Sequence, residues 1–252
     1  MQRVRVVGVL AVGLTVAVAL AAFALQGNAR RDRLRRIVQE QCLPHWLATH
    51  QPAPCSSVTL LGSGADAQGY AVLHDRKGGA HFLLIPTRTV GGIESPAARS
   101  ANAPNYFDAA WKARGVLATE TGRPLPRTAI GLAVNQLSSR SQDQLHIHMS
   151  CLRPSTFKAL RRDAAQIGPH WNLIEFSGHS YYAMRVMGEE LAPANPVRLL
   201  ADGIPGARDR LADYTLLVAG AVFAQAPGFV LLASRGAPGA ELLLDATCTV
   251  VR

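Results

Sequence analysis

The stretch Gln144-Leu145-His146-Ile147-His148-Met149-Ser150-Cys151 alternates polar and apolar residues. In a β-strand successive side chains point to opposite faces, so Gln144, His146 and His148 are expected on one face and Leu145, Ile147 and Met149 on the other. The apolar face can pack into a core while two imidazoles and a carboxamide line a cleft. Two imidazoles side by side cost stability if merely buried, and are useful if a phosphate is to be attacked or a metal held. Upstream, Ala129 to Asn135 reads as a second strand, joined to the first by the polar loop 136–143.

The neighbourhood extends the reading. Residues 69–74 and 81–85 form a hairpin pattern across the turn Asp75 to Gly79. Asn105 is a plausible N-cap for a helix over 106–120, ending before Gly122, with Phe107, Ala110, Trp111, Arg114 and Leu117 at helical spacing. Ser155 is expected to cap a helix to about Gln166, and Asn195-Pro196 to start another short one. Residues 43–68 and 88–104 read as loop. Tyr214 to Phe223 and Gly228 to Ser234 form a second apolar hairpin. It resembles the first and suggests a degenerate second half with no His-x-His.

The strand 144–151 resembles the histidine-triad signature His-φ-His-φ-His-φ-φ, where φ is apolar. Ser139 to Asp143 matches the short polar phosphate loop of that superfamily, and Phe82-Leu83-Leu84-Ile85-Pro86-Thr87-Arg88 its "leucine-isoleucine-proline-threonine" strand end. Within it the chain is similar to the membrane-anchored CDP-diacylglycerol pyrophosphatases. The shared marks are Glu40, Cys42-Leu43-Pro44, Pro54-Cys55, Leu84-Ile85-Pro86-Thr87, Glu94-Ser95-Pro96, Pro104-Asn105-Tyr106-Phe107, Ala110-Trp111-Lys112-Ala113-Arg114, His146-Ile147-His148 with Ser150-Cys151, Arg153-Pro154 and Cys248. Their common order is the specific part of the match. In one place the chain departs from the pattern: the first histidine of the triad is Gln144, which can donate and accept hydrogen bonds but cannot titrate.

The resemblance implies an α+β fold, a histidine-triad-like antiparallel sheet with packed helices, preceded by one transmembrane helix. It implies hydrolysis of CDP-diacylglycerol to CMP and phosphatidate through a nucleotidyl-histidine. His146 is then the nucleophile and His148 a phosphate holder or proton shuttle, with Gln144, Ser141 and Asn135 binding the substrate. A neutral imidazole suits attack on an anionic phosphorus, and covalent catalysis splits one hard step into two. Two alternatives compete: action on soluble nucleotide conjugates, or an inactive exported nucleotide-binding protein. No cofactor or metal is expected. No Cys-x-x-Cys pair exists, and His74, His81, His170 and His179 have no carboxylate at motif spacing.

Of the 252 residues, 1–28 are expected to be a membrane anchor and 29–252 the hydrolase domain with a C-terminal extension. Val6 to Leu25 is twenty residues without a charge, enough to cross a bilayer. Residues 1–36 hold seven Arg and one Asp, a net of +6, which leaves +3 of the total +9 for the other 216 residues. The basic balance therefore does not mark a nucleic-acid face. The expected partners are a lipid-linked nucleotide and the membrane, with the chain a monomer or homodimer in the bacterial inner membrane and its domain in the periplasm. Four cysteines behind an export segment favour disulfides. Cys42 and Cys55 bracket a short loop and are a natural pair, which leaves Cys151 with Cys248.

Overall fold

The structure, a computed structural model, describes residues 30–62 and 68–251. The chain begins with a helical run: α1 (Arg33–Arg36), a π-helical segment over Ile37–Cys42, and α2 (Leu43–Thr49). Strands β1 (Ser57–Leu61), β2 (Gln68–His74) and β3 (His81–Pro86) follow. Helices α3 (Pro96–Arg99), α4 (Tyr106–Ala113) and α5 (Gly115–Thr121) precede β4 (Ile130–Val134) and β5 (Ile147–Leu152). Then come α6 (Pro154–Asp163), β6 (Asn172–Phe176), β7 (His179–Met187), α7 (Pro196–Gly203), β8 (Thr215–Phe223), β9 (Ala226–Ser234) and the short β10 (Leu244–Asp245).

The class is α+β, and every strand pair is antiparallel. Nine strands run in the order β1-β2-β3-β5-β4-β8-β9-β7-β6, and β10 pairs with β5. This order contains the same pattern twice: β2-β3-β5-β4 and β6-β7-β9-β8, joined through β4 and β8. The second half is thus a topological repeat of the first. The sequence reading equated the wrong hairpins: β8 and β9 correspond to β4 and β5. The true counterpart of β2 and β3 is β6 and β7, which hydropathy had not shown, because only Phe176 of β6 is buried.

The local signals explain the helices. The Asn105 side chain accepts from Asp108 N–H at the start of α4, and Asn195 accepts from Val197 and Arg198 N–H at the start of α7. Gly122 closes α5 at φ 67°. Three elements fall in segments read as loop: α2, where Pro44 sits in the first turn and so breaks nothing, β1, whose Val58 is buried, and the single turn α3, whose Ala98 is buried.

One face of the sheet carries Phe82, Leu84, Leu132, Ile147 and Met149, packed against Phe107, Trp111 and Leu117 of α4 and α5 and against Val197 and Leu200 of α7. Burying each of these large side chains is worth about 1.5–3 kcal/mol. The other face has two covers. The α1 run lies on β1–β3 through Leu34, Val38, Val58, Leu83 and Ile85. Leu160 of α6, with Ala240 and Leu244, covers Ala133, Leu217 and Leu232. Disulfides Cys42–Cys55 and Cys151–Cys248 are both present, as the cysteine spacing led one to expect.

The expected transmembrane helix requires correction. Among the described residues no helix is long and apolar enough to cross a membrane. The long helical run, 33–49, carries Arg33, Arg35, Arg36 and Glu40, which are costly in hydrocarbon. The apolar segment 6–25 lies outside the described residues, and those described form an α+β fold without a membrane-spanning helix.

Candidate functional site

A pocket of about 350 Å³ opens between the two covers. Its floor is set by register: on β5, His148 lies opposite Leu83 of β3 on one side and Ala133 of β4 on the other. His146, His148, Asn135, Ser139, Ser141, Asp75, Lys77 and Glu241 make the polar wall, and Leu34, Ile37, Leu73 and Leu83 the apolar one. Arg33 and Arg76 stand at its exposed edge. A larger, more open cleft of about 610 Å³ lies between β7 and α7. It holds none of the expected site residues.

Four of the five expected residues therefore share one pocket: His146, His148, Ser141 and Asn135. Gln144 does not line that pocket, but lines a small neighbouring recess with Asn135 and His146. Strand β5 starts only at Ile147, and the run-in before it is tied by Leu145 N–H to the Val90 carbonyl, beside the Gln144 side chain. Gln144 is fully buried, donates its amide hydrogens to the Pro86 and Arg88 carbonyls, and accepts from Val90 N–H. Its side chain clamps the end of β3 to the run-in of β5.

His146 donates its Nδ1–H to the Gln144 backbone carbonyl at 2.7 Å. A carbonyl oxygen can only accept, so Nδ1 carries the hydrogen and Nε2 keeps its lone pair. Among the described residues Nε2 has no hydrogen-bond partner, and it is not one of the sealed unpaired atoms. The His148 ring lies edge-on to that of His146, with centroids 5.0 Å apart. His148 Nδ1 meets His81 Nε2 at 3.0 Å. His148 Nε2 lies 3.1 Å from Glu241 Oε2 without the alignment of a hydrogen bond.

Burial pushes the His146 and His81 imidazoles below the ordinary value of 6.5, the latter against the pull of Asp75. His148 is held well below it, by burial and then by its neighbours His146, His81 and Lys77. These groups are therefore neutral in the fold near neutral pH. Between the folded and unfolded pKa values the unfolded chain binds more protons, so stability falls with acidification. Their contribution is complete above about pH 6.5 and is lost as the pH drops through that window to the folded values. The thermal midpoint should decline below pH 6.5 before the carboxylates titrate; a midpoint constant there would contradict it.

Asp75, His81 and His148 each offer a ligand atom within 4.8 Å of one another. Yet Asp75 approaches Nδ1 of His81 at 3.6 Å and His148 approaches Nε2 at 3.0 Å. The two partners address opposite edges of one ring, whereas a metal needs ligands that converge on one point. The arrangement is a chain of groups and not a cage.

Sequence reasoning missed Glu241 and Asp75 altogether and weighed His81 only as a spare ligand. Asp75 and His81 bound a recognisable hairpin, so His81 could have been placed beside β5 by strand pairing. Nothing local marks Glu241. Its backbone N–H donates to Asn135 Oδ1, and a Cβ at Gly239 would come 2.5 Å from that oxygen, so the segment passes Asn135 only as glycine. The phosphate-loop segment is also held from afar: Arg140 forks onto Glu94, Arg31 onto Asp143, and Gln142 accepts from Leu34 N–H. The α1 run is thereby tied to the pocket's rim.

The model of the family described as "CDH: CDP-diacylglycerol pyrophosphatase" matches residues 29–252. The chain belongs to the CDP-diacylglycerol pyrophosphatase family. It is 40% identical over 229 residues to a Yersinia pestis protein named CDP-diacylglycerol pyrophosphatase, covering 87% of this chain and 85% of that one. The pyrophosphatase family member described here is accordingly an enzyme, a hydrolase acting on a phosphoric anhydride.

Proposed function

We propose that this enzyme hydrolyses CDP-diacylglycerol to CMP and phosphatidate through a nucleotidyl-histidine on His146. The observation that carries the reading is the fixed tautomer of His146. Its Nδ1–H is committed to the Gln144 carbonyl, which leaves a lone pair on Nε2 in a pocket wall. A buried, neutral imidazole approaches an anionic diphosphate without a charge penalty. Ser141, Ser139 and Asn135 line the same pocket and can donate to phosphate oxygens. The apolar wall of Leu34, Ile37, Leu73 and Leu83 suits the glycerolipid side of the substrate, and Arg33, Arg76 and Lys77 suit its phosphates. The pairing of β5 with β3, with imidazoles from both strands in contact, supports the likeness to histidine-triad proteins. Two disulfides with no cysteine left free support an oxidising compartment such as the periplasm.

The test is CMP release by the purified enzyme from micellar CDP-diacylglycerol in EDTA, set beside water-soluble CDP-alcohols. The micellar substrate should be preferred and activity should survive the chelator. Preference for the soluble alcohols would move the substrate away from lipid. Loss in EDTA, restored by one divalent ion, would replace imidazole attack with a metal-bound nucleophile.

A further inference from the structure

The two half-reactions differ in their need for a base, and the inference drawn from this rests on His146 as the nucleophile. In the first, His146 Nε2 bonds to the cytidylyl phosphorus, the P–O bond to the phosphatidyl oxygen breaks, and that oxygen leaves with the electron pair as a phosphate monoester. No proton has to move, since Nδ1 keeps its hydrogen on the Gln144 carbonyl. In the second, a water oxygen bonds to the phosphorus, the P–N bond breaks and its electron pair returns to Nε2. One proton of that water must then be accepted.

The candidates can be sorted by what already engages them. Gln144 cannot titrate, and its amide is spent on three backbone groups. His148 has His81 at Nδ1 and Glu241 at Nε2, so neither nitrogen faces an open site. The hydroxyls of Ser139 and Ser141 are poor bases. Two carboxylates line the pocket, Asp75 and Glu241. Asp75 is 14% exposed, accepts from Lys77 N–H through Oδ1 and turns Oδ2 toward His81. Glu241 is 25% exposed, has Oε2 near His148 and has its backbone pinned to Asn135.

We propose that Glu241 is the catalytic base of the second half-reaction, taking the proton of the water that attacks the nucleotidyl-histidine. His148 steers it. When His81 donates its Nε2–H to His148 Nδ1, the single hydrogen of neutral His148 sits on Nε2, the buried atom that otherwise lacks a partner. Nε2 lies 3.1 Å from Oε2 but short of hydrogen-bond alignment, so a small rotation of the Glu241 carboxylate brings Oε2 onto that N–H and leaves Oε1, 3.6 Å from Lys77 Nζ, for the water. The segment after β9 thus supplies the titratable group that Gln144 cannot.

The experiment uses CDP-diacylglycerol labelled in the cytidylyl phosphate, with rapid mixing and denaturing quench. Glu241→Gln should release phosphatidate in a stoichiometric burst at the wild-type rate, keep the label on the protein, and release CMP about 10²–10⁴-fold more slowly in the steady state. Formate should partly restore CMP release in Glu241→Ala. A Glu241→Gln enzyme with wild-type turnover overturns the assignment. So does one whose burst slows as much as its turnover, because Glu241 would then act before the covalent step or on the fold. The underlying reading fails separately: an active His146→Ala removes the nucleophile, whereas a dead His146→Ala with an unlabelled or fully active Glu241→Gln removes only the base.

Discussion

His146→Ala is expected to turn over CDP-diacylglycerol several orders of magnitude more slowly than the wild type while keeping its fold. A covalent pathway has no substitute once its nucleophile is gone, so the loss should appear in kcat and kcat/KM together. The structure separates this effect from misfolding. His146 stands outside all three buried apolar clusters, lines the pocket wall, and has a backbone carbonyl as its one hydrogen-bond partner among the described residues. The comparison that sharpens the result is Gln144→Ala. It strips three backbone groups of their partner, two of them in buried hydrogen bonds, at a cost of about 1–3 kcal/mol for each buried one left unpaired. It should therefore lower the melting temperature more than His146→Ala does and lower turnover far less. The measurement is kcat/KM beside the thermal midpoint for both variants. Near-native activity in His146→Ala would sink the nucleotidyl-histidine mechanism, and a Gln144→Ala as dead as His146→Ala would give position 144 a chemical duty that its buried placement does not explain.

Replacing Cys151 and Cys248 together by alanine should cost about 4–5 kcal/mol in the chain-entropy model, because the bridge closes a loop of 97 residues. For a chain of this size that corresponds to a fall of roughly 10–20 °C in the thermal midpoint. The Cys42–Cys55 bridge spans only 13 residues and should be worth about 3 kcal/mol. The longer bridge also carries function. It staples β5, which bears His148, to the turn after β10, where Asp245 accepts from Thr247 and Thr249 and is held down to about 2. The same turn receives the Ala80 N–H through the Ala246 carbonyl, which ties it to the start of β3. Glu241 lies on the segment held by these contacts. The double variant should thus lose activity at temperatures where it is still folded. Calorimetry under non-reducing conditions decides the stability claim: an unchanged midpoint would mean that the loop is ordered without the bridge.

Much of the site was legible because it is written in local alternation. His146 and His148 could be placed from the polar-apolar period, since Leu145, Ile147 and Met149 do enter the helix-side core. Ser141 and Asn135 came from the resemblance to the histidine-triad phosphate loop and strand end, and both line the pocket. Gln144 lines a small recess with Asn135 and His146, but its amide is spent on backbone groups at the end of β3, which no local pattern announces. The hairpin β6–β7 escaped notice because an edge strand needs little apolar surface to be held by its neighbour's backbone.

The sequence by itself determined the α+β class, the histidine strand, the caps of α4 and α7 and the cysteine pairing. Each depends on neighbours in the chain or on simple counting, and side-chain period, turn chemistry and cysteine number survive without knowledge of the fold. Only the tertiary structure decided that the ten-stranded sheet repeats one topology twice, that Arg33, Leu34 and Ile37 line the pocket, and that Glu241 stands 3.1 Å from His148 across 93 residues of chain. These facts depend on strand order and on which surfaces are left uncovered once the strands are paired. Burial then does what no single residue type announces: it drives three imidazoles toward neutrality, locks the hydrogen of His146 on Nδ1, and gathers carboxylates from two distant segments around them.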